Sequence, residues 1–197
     1  MSEPAAALAG FRDPVHDAQR TFRAVLDALA RPGTLQRVAA PDEQPTCLSP
    51  AIAALALSLL DHDTAVWLCP ELCAAAPYFR FHADTPVTDS PGAAAFALTT
   101  AAQMPALGTL AAGTPLYPHR SCTVLCEVPA LTGGKALRLT GPGIDGSTRL
   151  RCQGLPGVFV HQWSAQLARF PLGVDVLLTH GDRVCGLPRG VRIEEMG

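Results

Sequence analysis

Six groups of residues in this chain have types and spacing that could do chemistry. Gly141-Pro142-Gly143-Ile144-Asp145-Gly146 spells the G-x-G-x-x-G pattern of a dinucleotide-binding turn and follows a strand-like run. That chemistry needs a helix N-terminus aimed at the pyrophosphate. Ser147 to Cys152 instead alternates polar and apolar, so the segment reads as a glycine-rich turn between strands. Gly133-Gly134-Lys135 fails as a phosphate loop, because Pro129 stands where its first glycine belongs and Ala136 where Ser or Thr is needed. Lys135 is the one lysine in the chain, so any pyridoxal phosphate Schiff base would have to form there; the alternative is a solvated lysine beside a turn.

Cys69 and Cys73 match two positions of a radical cluster loop whose third position is Ala76. Cys122 and Cys126, four apart on a strand, share a face but lie too far apart to hold one ion unaided. No metal site is expected, and the thiols read as buried and inert. Arg80-Phe81-His82-Ala83-Asp84, taken as extended, turns Arg80, His82 and Asp84 to one side, where a guanidinium and an imidazole could hold a phosphate or phosphonate. A charged solvent face is the alternative. Asp61-His62-Asp63 offers ligand types in a loop, and no triad or nucleophile elbow is visible.

The elements that must position these groups follow from caps and periodicity. Asp13 as N-cap, Pro14 in the first turn and Arg31-Pro32-Gly33 as the stop predict a helix to about Ala30. Val15, Ala18, Phe22, Val25, Leu26 and Leu29 form its apolar stripe, expected to face inward, and His16, Arg20, Arg23 and Asp27 line the opposite side. Ser49-Pro50 starts a second helix over 51–60, apolar all round and so buried. Strands are expected at 64–69, 95–99, 121–128, 136–140, 174–179 and 184–187, with an extended stretch at 78–87 and a late helix over 158–169. The strands at 121–128 and 136–140 are expected to be antiparallel neighbours across Gly133-Gly134. The whole is an α/β fold, a mixed sheet covered by helices.

Composition bounds what such a domain can be for. The 197 residues suit one domain. A net charge of −2 argues against a nucleic-acid groove, although the basic side is lopsided, with 14 Arg to one Lys. Seven Cys in no framework spacing favour a reducing, cytoplasmic setting, and the N-terminal residues lack the basic region of a signal peptide. The longest apolar run, 51–60, is half a membrane span.

Runs in order along the chain carry a family resemblance: Asp13-Pro14-Val15-x-Asp17-Ala18-Gln19-x-x-Phe22-Arg23, Leu59-Leu60-Asp61-x-Asp63-Thr64, Arg80-Phe81-His82, Leu137-Arg138-Leu139-Thr140-Gly141-x-Gly143-Ile144, Phe170-Pro171-Leu172-Gly173-x-Asp175 and Pro188-Arg189. With these the chain resembles the PhnH family, a subunit of bacterial carbon-phosphorus lyase. The resemblance implies a single domain over 11–194, with 1–10 a poorly ordered tail. It implies a three-layer α/β/α sandwich with a mixed sheet, similar in topology to pyridoxal-phosphate-dependent transferases but without that cofactor.

It further implies a homodimer that joins PhnG, PhnI and PhnJ and is not catalytic alone. The assembly exchanges the adenine of ATP for a phosphonate, giving alpha-D-ribose 1-methylphosphonate 5-triphosphate. Radical cleavage is assigned to PhnJ, in keeping with the incomplete cysteine loop here. The sequence departs from the family at Gly190-Val191 and at His119-Arg120-Ser121-Cys122. No catalytic residue carries over. The candidates are Arg80, His82, Lys135 and Arg138 for an anionic ligand, and His16, Arg20 and Arg23 for a partner surface. A purely architectural protein and a stand-alone lysine- or nucleotide-dependent enzyme are the alternatives.

Overall fold

The structure is a computed structural model that describes residues 8–196. Helix α1 (Pro14–Ala30) begins where the Asp13 carboxylate accepts from the His16 N–H, and Pro14 fills the first turn, where its missing N–H is no loss. Helix α2 (Pro50–Leu59) repeats the device: the Ser49 hydroxyl accepts from the Ile52 N–H. Its Ala51–Ala56 stretch is buried, as a helix with no polar face must be.

The main sheet has six strands: β1 (Leu35–Arg37), β2 (Val66–Leu68), β3 (Phe96–Thr100), β4 (Thr123–Glu127), β7 (Asp175–His180) and β8 (Arg183–Leu187), in the order β1-β8-β7-β4-β3-β2. The four strands β7, β4, β3 and β2 run parallel, while β8 and β1 add antiparallel at one edge. Alternation divides the two sides of this sheet. Leu98, Leu125, Leu177 and Val184 pack under α1, α2 and α3 (Ala76–Ala83), while Val124, Cys126, Val176, Leu178 and Cys185 face a second core.

That second core is closed by a three-stranded antiparallel sheet, β5 (Ala130–Thr140), β6 (Thr148–Gln153) and β9 (Arg192–Glu195), in the order β6-β5-β9, together with α4 (Phe159–Leu167). Buried Trp163 ties α4 down by donating its indole N–H to the Val191 carbonyl at 2.7 Å. The fold is therefore α/β with a mixed sheet, as expected. The layer opposite the helices is largely a sheet, where helices alone had been expected.

Three local expectations are overturned. Strands β4 and β5 lie in different sheets, and Gly133-Gly134 sits inside β5, where the register with β6 shifts between Ala130 and Lys135. An irregularity within a strand and a turn between strands carry the same glycine signal. The stretch 78–87 is helical as far as Ala83, with Pro77 in the first turn and Asp84 as a left-handed cap. Strand β9 lies where no element was expected. At the N-terminus, residues 8–10 are seated: Leu8 packs on the first core, Gly10 is buried, and the Ala9 N–H donates to Glu43. Residues 1–7 lie outside the described residues.

Helix α1 is also turned differently from expectation. Its buried residues are Asp17, Thr21, Ala24, Val25 and Ala28, while Val15, Phe22 and Leu26 are 75%, 46% and 51% exposed. The cause is a close approach. Gly186 of β8 lies so near the helix that a Cβ there would sit 2.5 Å from the Ala28 carbonyl oxygen. Only small side chains fit between helix and strand at that distance, so Val15, Phe22 and Leu26 are turned outward. A Cβ on Gly143, at φ +79°, would likewise meet the Ala30 carbonyl; the glycine pattern at 141–146 lets the β5–β6 turn touch the end of α1.

Gly186→Ala should therefore cost about 1–3 kcal/mol by overpacking, read as a lowered urea midpoint. Gly157→Ala, whose Cβ would enter open space, should stay within about 0.5 kcal/mol.

Candidate functional site

The seven residues singled out in the sequence do not converge. Arg80 and His82 are two apart on α3, so they point in different directions. Arg80 is exposed, and His82 stacks on Tyr78 with ring centroids 4.4 Å apart and meets the Leu8 carbonyl through Nε2 at 3.0 Å. His82 thus holds the N-terminal segment in place and does not reach toward a ligand with Arg80. The Lys135 ammonium lies 3.3 Å from Glu195 and is 73% exposed, at the mouth of a pocket of about 290 Å³ floored by Leu137, Cys152 and Phe159. Arg138 stands on the outer face of β5, opposite Arg149 of β6 and Glu194 of β9.

On α1, His16, Arg20 and Arg23 are exposed, as expected. His16 pairs with Asp13 at 2.7 Å. Arg20 serves the fold itself by pairing with Asp17, whose side chain is only 7% exposed and which also accepts from the Asp13 N–H at 3.0 Å. Among the described residues, Arg23 makes no ion pair.

A group that sequence reasoning missed lies at the carboxyl ends of the parallel strands, where open α/β sheets place their ligands. Thr100, Glu127 and Thr179 stand abreast on β3, β4 and β7. One carboxyl oxygen of Glu127, Oε2, accepts from the Ser49 hydroxyl at 2.5 Å and from Thr179 at 2.7 Å. The other, Oε1, is 4.0 Å from Nδ1 of His180, a nitrogen that also lies 3.1 Å from the Val128 carbonyl. Thr100 Oγ1 is buried without a hydrogen-bond partner. A cleft of about 380 Å³ opens here, with Glu71 and Gly154 at its rim.

Burial raises the Glu127 carboxyl above its ordinary value, against the hydroxyls of Ser49 and Thr179 that favour the charged form. The cleft is lined by two carboxyls and an imidazole, with no Arg or Lys, so it suits a donor-rich group and not a phosphate. Because Ser49 caps α2, Glu127 supplies the anion at the helix N-terminus that a bound phosphate supplies elsewhere. The signal available in the sequence was a lone Glu closing the buried run Thr123 to Cys126.

The motif residues Asp175 and Arg189 form an internal clamp. Arg189 donates from Nη2 to Asp175 at 2.5 Å and from Nε at 3.1 Å, and its Nη1 reaches the Pro118 carbonyl at 2.9 Å. Its guanidinium is spent on holding the 113–120 loop against β7. The cysteines are all free thiols; Cys73 is exposed and Cys47 partly buried, contrary to expectation, while burial pushes Cys122 and Cys185 up to about 12 and Cys152 up to about 11, which keeps those three unreactive. Among the described residues no group of His, Cys, Asp or Glu could hold a metal ion. Among the described residues no helix is long and apolar enough to cross a membrane.

Comparison with known proteins places this geometry in a family. The family model described as bacterial phosphonate metabolism protein (PhnH) matches residues 9–194. The chain is 42% identical over 187 residues to the alpha-D-ribose 1-methylphosphonate 5-triphosphate synthase subunit PhnH of Rhizobium meliloti (strain 1021), covering 93% of this chain and 94% of the relative. It is 40% identical over 80 residues to a putative C-P lyase subunit protein, HtxG, of Stutzerimonas stutzeri, covering 41% of each.

The Glu127 carboxyl generates a pH dependence of known sign. Unfolded, it ionises near its ordinary 4.5; folded, it keeps its proton to higher pH. The folded state binds more protons in that window, so stability falls as pH rises through it and then levels off. Glu127→Gln keeps an oxygen for Ser49 and Thr179 and removes the titration. Urea midpoints measured from about pH 4 to about pH 8 should shift in favour of the Glu127→Gln chain as pH climbs. A constant difference would show that the buried carboxyl carries no penalty.

Proposed function

The chain belongs to the PhnH family of bacterial phosphonate metabolism proteins, and from that premise we propose that it is a non-autonomous subunit of a carbon-phosphorus lyase assembly. Its step is the formation of alpha-D-ribose 1-methylphosphonate 5-triphosphate from ATP and methylphosphonate, the product for which its full-length relative is named. PhnG, PhnI and PhnJ are the subunits it would join, with a homodimer as a further state of the free chain. In this reading the chain binds no cofactor by itself and acts in the cytoplasm.

One observation carries the subunit reading: α1 leaves Val15, Phe22 and Leu26 exposed along a single line, at steps of seven and four residues. Contiguous exposed apolar surface on a soluble protein marks a contact with another protein. The stripe has a structural cause in the Gly186 contact, so α1 cannot simply roll to bury it. Arg23 stands beside it with no internal partner among the described residues, and arginines next to large apolar residues are favoured at interface centres.

The test separates fold from association. Phe22→Ser with Leu26→Ser should leave thermal unfolding of the isolated chain close to wild type and weaken co-purification with the co-expressed subunits at least tenfold. Unchanged association would remove α1 as the docking face. Loss of self-association alone, read by sedimentation, would assign the stripe to a second copy of the chain.

The two arginines of the helix should behave differently. Arg23→Ala should change stability by less than about 0.5 kcal/mol, whereas Arg20→Ala should cost about 1 kcal/mol or more, because it leaves the buried Asp17 carboxylate without its cation. Denaturant titration of the two single variants distinguishes them.

A further inference from the structure

The outer face of the three-stranded sheet concentrates positive charge in a chain whose net charge is −2. Arg138 lies at its centre, directly across from Arg149 on β6. Arg151 and Arg192 occupy the diagonal positions, opposite Ala136 and Thr140 respectively. All four arginines are exposed, and none lies within ion-pair distance of a carboxylate among the described residues. Glu194, across from Arg138 on β9, is the one acidic side chain on this face among the described residues.

Strands about 4.8 Å apart and same-face residues about 7 Å apart put the four arginines on a patch about 17 Å in its longest direction, from Arg151 to Arg192. Like charges directly opposed across a sheet destabilise it, so the Arg138–Arg149 pair is not there for the fold. The patch is a flat strand face, whereas a small anion is held in a concavity with several groups converging on it. A flat array of planar, bidentate donors matches carboxylates spread over another flat surface.

We propose that this arginine face docks an acidic surface of a partner protein. It is a contact separate from the α1 stripe, and it rests on the reading of the chain as an assembly subunit. The arginines steer the partner in and set its register, and Glu194 weakens the contact by occupying one corner with the wrong sign.

The experiment titrates wild-type chain, Arg138→Gln with Arg149→Gln, and Glu194→Gln onto the co-expressed remaining subunits at low and high salt. The double variant should bind at least tenfold more weakly at low salt, mainly through a slower association rate. Its affinity should also respond less to salt. Glu194→Gln should bind more tightly than wild type. The isolated double variant should unfold no lower than wild type, since the opposed pair is relieved; this shows that any loss of binding is not a loss of fold.

If wild type associates and the double variant does so with the same affinity and salt response, the assembly reading stands and the arginine face is merely solvated. If wild type fails to associate, the assembly reading falls and this inference with it. Saturable binding of inorganic triphosphate to the isolated chain, abolished in the double variant, would overturn the protein partner in favour of a small polyanion.

Discussion

Helix α1 reaches the main sheet at a place where no side chain stands between them. With Gly186 on β8 and Ala28 on the helix, backbone meets backbone, and the helix axis is set closer to the strands than a Leu-on-Leu contact would allow. That closeness selects the inward residues by size. Thr21, Ala24, Val25 and Ala28 fit, and Asp17 is taken in because Arg20 and the Asp13 N–H satisfy it. Phe22 and Leu26 are left about half exposed, while Leu29 packs at the margin of the first core. The same helix carries the Ala30 carbonyl against which Gly143 turns, so the seating of α1 also fixes where the β5–β6 turn can run.

A second constraint operates at the carboxyl ends of the parallel strands. An α/β sheet leaves helix N-termini beside its free strand ends there, and those N-termini attract anions. Here the chain fills the position itself: Glu127 lies between the Ser49 cap of α2 and Thr179 of β7, so one carboxylate joins helix to sheet. The position that a nucleotide phosphate would need is thereby occupied. What stays open is Oε1 of Glu127, which accepts hydrogen bonds and repels negative charge, and the unpartnered Thr100 hydroxyl, which can donate or accept.

Local signals in the sequence were legible where one physical cause acted alone. Asp13-Pro14 and Ser49-Pro50 start helices because capping is decided within four residues. The runs at 96–100, 123–127 and 175–180 read as strands because each is a short apolar stretch closed by polar residues, too short for a buried helix. The failures occurred where a distant partner decided. Within the apolar stripe of α1, Val25 faces inward as expected, but Val15, Phe22 and Leu26 pointed inward by pattern and outward in fact, since the pattern contains no record of Gly186, more than 150 residues away. Gly133-Gly134 marked an irregularity in β5 whose strand partners come from β6 and β9. The extended reading of 78–87 missed that Tyr78 and Phe79 are both buried, one helical step apart. Glu127 was invisible because its importance comes from Ser49 and Thr179, each about 50 residues or more away.

The charge inventory acquires meaning only once these placements are known. Fourteen arginines against one lysine could reflect nothing beyond composition. The structure divides them by role. Arg189 and Arg20 are committed to carboxylates with little exposure, Asp175 and Asp17, where the planar guanidinium reaches more than one acceptor or follows a fixed geometry that an ammonium does not impose. Arg31 and Arg37 form exposed pairs that contribute little. The arginines of the small sheet fit neither class, for they are grouped, exposed, and set opposite one another with a single carboxylate among them. A stable fold gains nothing from that arrangement, and a soluble monomer gains nothing from an apolar stripe on its longest helix. The two features lie on opposite covers of the main sheet, one on the helical layer and one on the small sheet. A subunit held between neighbours needs contacts on both.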